Sequence, residues 1–140
     1  MDKWIVFAFV SMLFAGMTSV IAKMGMAGIS AELSLAVRTC FVSVFVLGFA
    51  AAVVPRQELS GLGAHNVRWL ALSAATTAVS WIFYYKAIKL GDVSTVALID
   101  KGSFLVAVLG AWWLLKEPIT PRVMSGSLLI VAGLLVVSRR

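Results

Sequence analysis

The chain has 140 residues, of which 61% are hydrophobic and only 13% charged, and its mean hydropathy is +1.02. A soluble domain averages about 25% charged residues and must show much of its surface to water, so this composition excludes a water-soluble globule. The net charge of +6 would favour nucleic acid in a soluble protein, but the 12 Lys and Arg are scattered at the ends of apolar runs. That is the placement of topology signals and of anchors on anionic lipid, so membrane lipid is an expected partner and nucleic acid is not.

Five apolar runs follow one another: Trp4–Ala22, Leu35–Val54, Val67–Ile88, Val93–Leu115 and Ile119–Ser138. Each approaches the ~20 residues that an α-helix needs to cross about 30 Å of hydrocarbon. They are too long and too continuous for barrel strands. The first follows Lys3 as a signal peptide would, but it is long enough to span and no Ala-x-Ala site closes it; it is expected to be a retained helix. Gly25, Gly28 and Ser30 lead into Glu32 and the second helix. Pro55-Arg56-Gln57-Glu58 stops that helix, and the longest loop follows, with Gly61 and Gly63. Gly91-Asp92 is a tight turn, with Asp92 or Ser94 available as a cap for the fourth helix. Lys116-Glu117-Pro118 ends the fourth helix and Pro121 opens the fifth. The expected fold is an all-α polytopic membrane protein, a single domain of five transmembrane helices over residues 1–140.

Short loops force the helices to alternate in direction. One side then carries Lys23, Lys86, Lys89, Arg139 and Arg140, and the other Lys3, Arg56, Arg68, Lys116 and Arg122. Arg38 and Lys101 lie within runs. With the two sides balanced, the positive-inside rule assigns no orientation, and such a balance is what a chain inserted both ways round would show. Orientation set by a partner is the alternative. Trp4, Trp69, Trp112 and Trp113 gather near the second side, as interfacial anchors do.

Charge inside a span is costly, about 2.5–3.5 kcal/mol per residue, and invites a functional reading. Asp100 and Lys101 sit about 10–12 Å along the fourth run, and Arg38 about one turn into the second. All three fall in the same half of the membrane, with Lys86 near the same side. Small and polar residues recur at helical spacing: Ser11, Ala15 and Thr18; Ser73, Thr76 or Thr77, Ser80 and Tyr84; Ala97, Asp100, Ser103 and Phe104. Such faces line a water-filled cavity or pack closely by interhelical hydrogen bonds. The expected substrate or coupling-ion residues are Asp100, Arg38, Ser103, Tyr84, Ser80 and Lys101. A neutralised structural ion pair is the alternative for Asp100 and Arg38. Trp81, Tyr84 and Tyr85 are available to stack on a substrate. Gly126 and Gly133 share a face of the fifth helix, suited to an internal contact or a dimer seam.

Cys40 alone forms no internal disulfide, and one Cys with one His, His65, makes no metal site. No nucleophile–base pair or phosphate loop is present, so neither an enzyme nor a cofactor is expected.

The stretch Tyr84-Tyr85-Lys86-Ala87-Ile88, then Gly91-Asp92-Val93-Ser94, then Leu114-Leu115-Lys116-Glu117-Pro118, then Gly126 and Gly133, resembles the second half of an EamA domain of the drug/metabolite transporter superfamily. Arg38 resembles that family's Arg early in helix two. The resemblance covers essentially the whole chain. Two positions depart from the pattern: many members have Pro near Asp100-Lys101, and many have Gly where this chain has Lys116. The superfamily's small multidrug exporters carry an acid in helix one, which this chain lacks, so a coupling role would fall to Asp100. The resemblance implies a secondary transporter, an exporter of a small organic molecule, in the plasma (bacterial inner) membrane. Most members carry two inverted domains, which here implies an antiparallel homodimer or a heterodimer with a related small membrane protein. The alternative is an accessory subunit, or a flippase subunit for lipid-linked substrates.

Overall fold

Seven helices account for the regular structure among the described residues, 2–138, of the computed structural model. They are α1 (Lys3–Gly25), α2 (Ala31–Val53), α3 (Arg56–Ser60), α4 (Ala64–Leu90), α5 (Val93–Asp100), α6 (Ser103–Leu114) and α7 (Pro121–Ser138). Arg139 and Arg140, counted above with one side's charges, lie outside the described residues. Every expected apolar run falls on helix. Three stretches are long and apolar enough to cross a membrane: α1, α2, and α5 with α6 taken as one run, Val93–Leu114. The apolar part of α7 is shorter. Helix α4 has 27 residues, about 40 Å of rise, but its serines and threonines dilute its apolar character.

The boundaries have local causes. The Ser30 hydroxyl accepts the Leu33 amide at 3.1 Å, which caps α2 and starts it at Ala31, four residues before the expected Leu35. Gly28 supplies the positive φ of 74° that the preceding turn needs. Pro55 ends α2 and also starts the five-residue α3, whose Glu58 amide bonds the Pro55 carbonyl at 3.0 Å, so part of the expected loop is helical. Asp92 occupies the N-cap position of α5 without a side-chain cap bond. Thr120 caps α7 through the Val123 amide at 3.3 Å, and Pro121 opens the helix.

The chain divides into two compact units: Ile21–Leu90, and the segments before and after it. In the Ile21–Leu90 unit, α2 packs along α4. Met26, Ala31, Ser34, Tyr85 and Ile88 are buried together at the end where α2 begins and α4 closes. Two lysines tie that end. Lys23 Nζ donates to the Ile88 carbonyl and, at 3.3 Å, to that of Lys89. Lys89 Nζ donates in turn to the carbonyls of Met26 at 2.9 Å and Ile29 at 2.7 Å. The last carbonyls of a helix have no intrahelical partner and carry partial negative charge, so a lysine there is doubly favourable. Beside them Lys86 pairs with Glu32 at 3.4 Å, linking the end of α4 to the start of α2.

In the other unit, α5 packs on α7. The expected fourth helix is interrupted at Lys101 and Gly102. Hydrogen bonds tighten there to three-residue spacing: Gly102 to Ile99 at 2.9 Å, Phe104 to Lys101 at 3.2 Å and Leu105 to Gly102 at 3.0 Å. A Cβ on Gly102 would lie 3.0 Å from the Ile99 carbonyl and 3.3 Å from Leu134 Cδ1, so glycine admits α7 at the break. By contrast, Gly126 and Gly133 face open space among the described residues, so of the internal contact and the dimer seam expected as alternatives the single chain does not make the first. At the end of α6, Lys116 takes a left-handed φ of 59°, and the Glu117 amide reaches back to the Ala111 carbonyl at 3.1 Å. A left-handed φ is one that glycine adopts without strain, and here a lysine occupies it.

Two substitutions test this architecture. Lys116→Gly relieves the left-handed strain and should stabilise the protein by about 1 kcal/mol, read as a higher unfolding midpoint in detergent. Lys89→Met removes the lysine donor from the Met26 and Ile29 carbonyls, leaving Met26 only its longer bond from the Ile29 amide, and should destabilise by about 1–3 kcal/mol, read in the same assay; an unchanged midpoint would contradict a tying role.

Candidate functional site

Arg38 is the charged residue most deeply embedded in the Ile21–Leu90 unit's helix pair. Because Ser30 starts α2 at Ala31, Arg38 lies two turns into the helix, about 10 Å along it, rather than the expected one turn. Its guanidinium does not run out toward solvent. Cζ sits 4.5 Å from the centroid of the Trp81 ring and 5.8 Å from that of Tyr85, both on α4. Trp81 and Tyr85 are four residues apart and so present adjacent rings on one face of the helix. Arg38 Nη1 is buried and makes no hydrogen bond among the described residues, and the same holds for the Tyr85 hydroxyl; Tyr85 as a whole is 3% exposed.

Magnitudes show how incomplete this arrangement is. Arginine at the centre of a span costs about 2.5–3.5 kcal/mol. A desolvated cation–π contact contributes about 2 kcal/mol, while an unsatisfied buried polar group costs about 1–3 kcal/mol. Stacking therefore leaves the buried donors uncompensated.

Below this stack, α2 and α4 frame a groove of about 490 Å³ lined by Leu35, Thr39, Ser73, Thr77, Trp81 and their neighbours. Two of the hydroxyls in its lining are engaged. Thr39 donates to the Leu35 carbonyl at 2.8 Å and Thr77 to that of Ser73 at 2.9 Å. Both of these hydroxyl protons are thus used inside their own helices, and Ser73 supplies the remaining hydroxyl of an otherwise apolar groove.

The remaining expected residues divide between the two units. Tyr84 is half-buried and meets Tyr85 edge-on at 6.5 Å, but it is Tyr85 that lies against Arg38. Ser80 is exposed on α4. Asp100, Lys101 and Ser103 lie together at the α5–α6 interruption: Asp100 is half-buried at the end of α5, Lys101 is exposed at its C-cap and Ser103 is exposed as the first residue of α6. Trp81 and Tyr85, expected to be available for stacking on a substrate, here stack on Arg38. A signal for them existed. They lie nine and five residues before the end of α4, which brackets the depth of Arg38, seven residues past the start of α2. The other tryptophans behave as expected of anchors: Trp4, Trp69, Trp112 and Trp113 are all exposed.

Comparisons with known proteins agree with this architecture. The EamA-like transporter family matches residues 2–139. A protein of Sinorhizobium sp described as an uncharacterized transporter in the cobO 3' region is 32% identical over 137 residues, which cover 98% of this chain and 97% of that protein. No solved structure matches. With the match running through every helix described above, the chain belongs to the EamA-like transporter family of the drug/metabolite transporter superfamily, whose members are integral membrane proteins.

Proposed function

We propose that this transporter exports a small organic molecule across the plasma (bacterial inner) membrane, working as a pair of inverted five-helix domains. The observation that carries the proposal is Asp100. It stands at an interruption in a run of helix that is otherwise long and apolar enough to cross the membrane. Ionisable groups within spans mark ion and substrate pathways. Discontinuous helices mark the substrate and ion sites of many secondary transporters, where one repeat rocks against its inverted partner. In this reading Asp100 exchanges a proton or holds a cationic group, with Lys101 and Ser103 beside it at the interruption. Arg38 holds an anionic group, and Tyr84 and Ser80 face the substrate path.

Two features support pairing. The family match is to one EamA unit, and alternating access requires two units of opposite orientation. Lys and Arg are balanced between the two loop sets, which favours a chain that inserts both ways and supplies its own antiparallel partner. The face of Gly126 and Gly133, open in the single chain, suits close approach of a second helix.

Asp100→Asn should abolish transport driven by a pH gradient while leaving the protein inserted and folded. The assay is uptake of a panel of radiolabelled amino acids and organic acids into proteoliposomes under an imposed pH gradient. Wild-type flux in the variant would remove Asp100 from the mechanism.

A further inference from the structure

The groove between α2 and α4 and the arginine stack at its end point to a substrate class. We infer that the Ile21–Leu90 unit binds an amphipathic oxyanion, a carboxylate on an apolar body, with the charged end on Arg38 and Tyr85 and the body in the groove. The inference rests on the transport reading for its biological purpose, but not for its chemistry.

Four observations converge. Arg38 Nη1 and the Tyr85 hydroxyl are buried donors without a hydrogen bond among the described residues. A guanidinium has no acceptor atom and keeps its charge at all ordinary pH, so what completes it must be an acceptor, and an anion completes it best. A planar fork of N–H donors matches a carboxylate in particular. The Trp81 ring holds the guanidinium on its face at 4.5 Å, which fixes the orientation of the donors before any ligand arrives.

Trp81 also lines the groove, and so joins the charged end to the apolar one. The groove selects against a strongly polar body. Its Thr39 and Thr77 hydroxyl protons are donated to carbonyls of their own helices, and, Ser73 apart, the rest of the lining is aliphatic or aromatic. A ligand with several hydroxyl or ammonium groups would leave them unpaired there. An aliphatic or aromatic body would not.

An anionic lipid headgroup offers the same chemistry as a soluble carboxylate, and the test separates the two. Binding of phenylacetate to the full chain in nanodiscs is measured by calorimetry, with 2-phenylethanol as the neutral analogue of similar size. In phosphatidylcholine nanodiscs phenylacetate should bind and 2-phenylethanol should bind at least about tenfold more weakly, since a charge-assisted hydrogen bond is lost. Arg38→Gln should weaken phenylacetate binding at least about tenfold. Tyr85→Phe, which keeps the ring against the guanidinium and removes only the hydroxyl, should weaken it about threefold. Equal binding of the two ligands, or unchanged affinity in either variant, would overturn the inference. In phosphatidylglycerol nanodiscs the affinity for phenylacetate should hold; its loss there would assign the site to lipid headgroups and overturn a soluble substrate. Because binding is read without flux, the two readings fail separately. Arg38-dependent binding with no uptake would remove the transport reading alone. Uptake of other solutes without carboxylate binding would remove this inference alone.

Discussion

Hydrocarbon offers no hydrogen bonds, so every peptide group of a spanning chain must be paired within the protein, and this constraint governs the rest of the structure. It makes helices the form of each apolar run. It also makes the helix ends the difficult places, because several carbonyls at each C-terminus have no partner in the helix itself. The Ile21–Leu90 unit answers with Lys23, which donates to the last carbonyls of α4, while Lys89 donates to carbonyls of the turn between α1 and α2. The largest fully buried side chains, Met26 and Ile88, lie at this same end. Elsewhere the surface is apolar and open, as suits a protein whose solvent is lipid. At Lys101 and Gly102 the constraint is met differently, by a tightened turn that keeps the amides bonded through the interruption.

Against this background the Arg38 stack is an exception. Its guanidinium is held by two rings rather than by a carboxylate, and its Nη1 stays unbonded beside the equally unbonded Tyr85 hydroxyl. Structural positions in a membrane tend to be satisfied, as the lysine ties are. A group left unsatisfied at depth, next to a groove, has the character of a binding position. In the proposed cycle Asp100, at the interruption in the other unit, is the coupling position. That cycle needs both a site that recognises the substrate and a group that couples it to the driving ion.

Much of the fold was legible in the sequence because the signals are local. Apolar run length located helix throughout, Pro121 marked the start of α7, and the order of short motifs around Tyr84, Gly91, Glu117 and Gly126 pointed to the family. What escaped depends on contacts distant in sequence or on backbone detail. Ser30 caps α2 earlier than the apolar pattern begins, which moves Arg38 a turn deeper. Lys23 and Lys89 read as topology charges, since nothing local reveals that each reaches carbonyls some sixty residues away. Gly102 read as part of a continuous helix, because its role is set by Leu134 on α7. Tyr84 and Tyr85 are adjacent, and only the pairing of α2 with α4 decides which of them meets Arg38.

The proposed transport cycle depends most on inverted pairing, because the rocking motion it invokes sets one repeat against a counterpart of opposite orientation. Orientation is therefore the quantity to measure first. Reporters fused to the C-terminus, one active only in the cytoplasm and one only outside, would be expressed separately at native levels. Substantial signal from both is expected, as an antiparallel homodimer requires. Signal from one reporter alone would contradict dual insertion and with it the self-paired transporter.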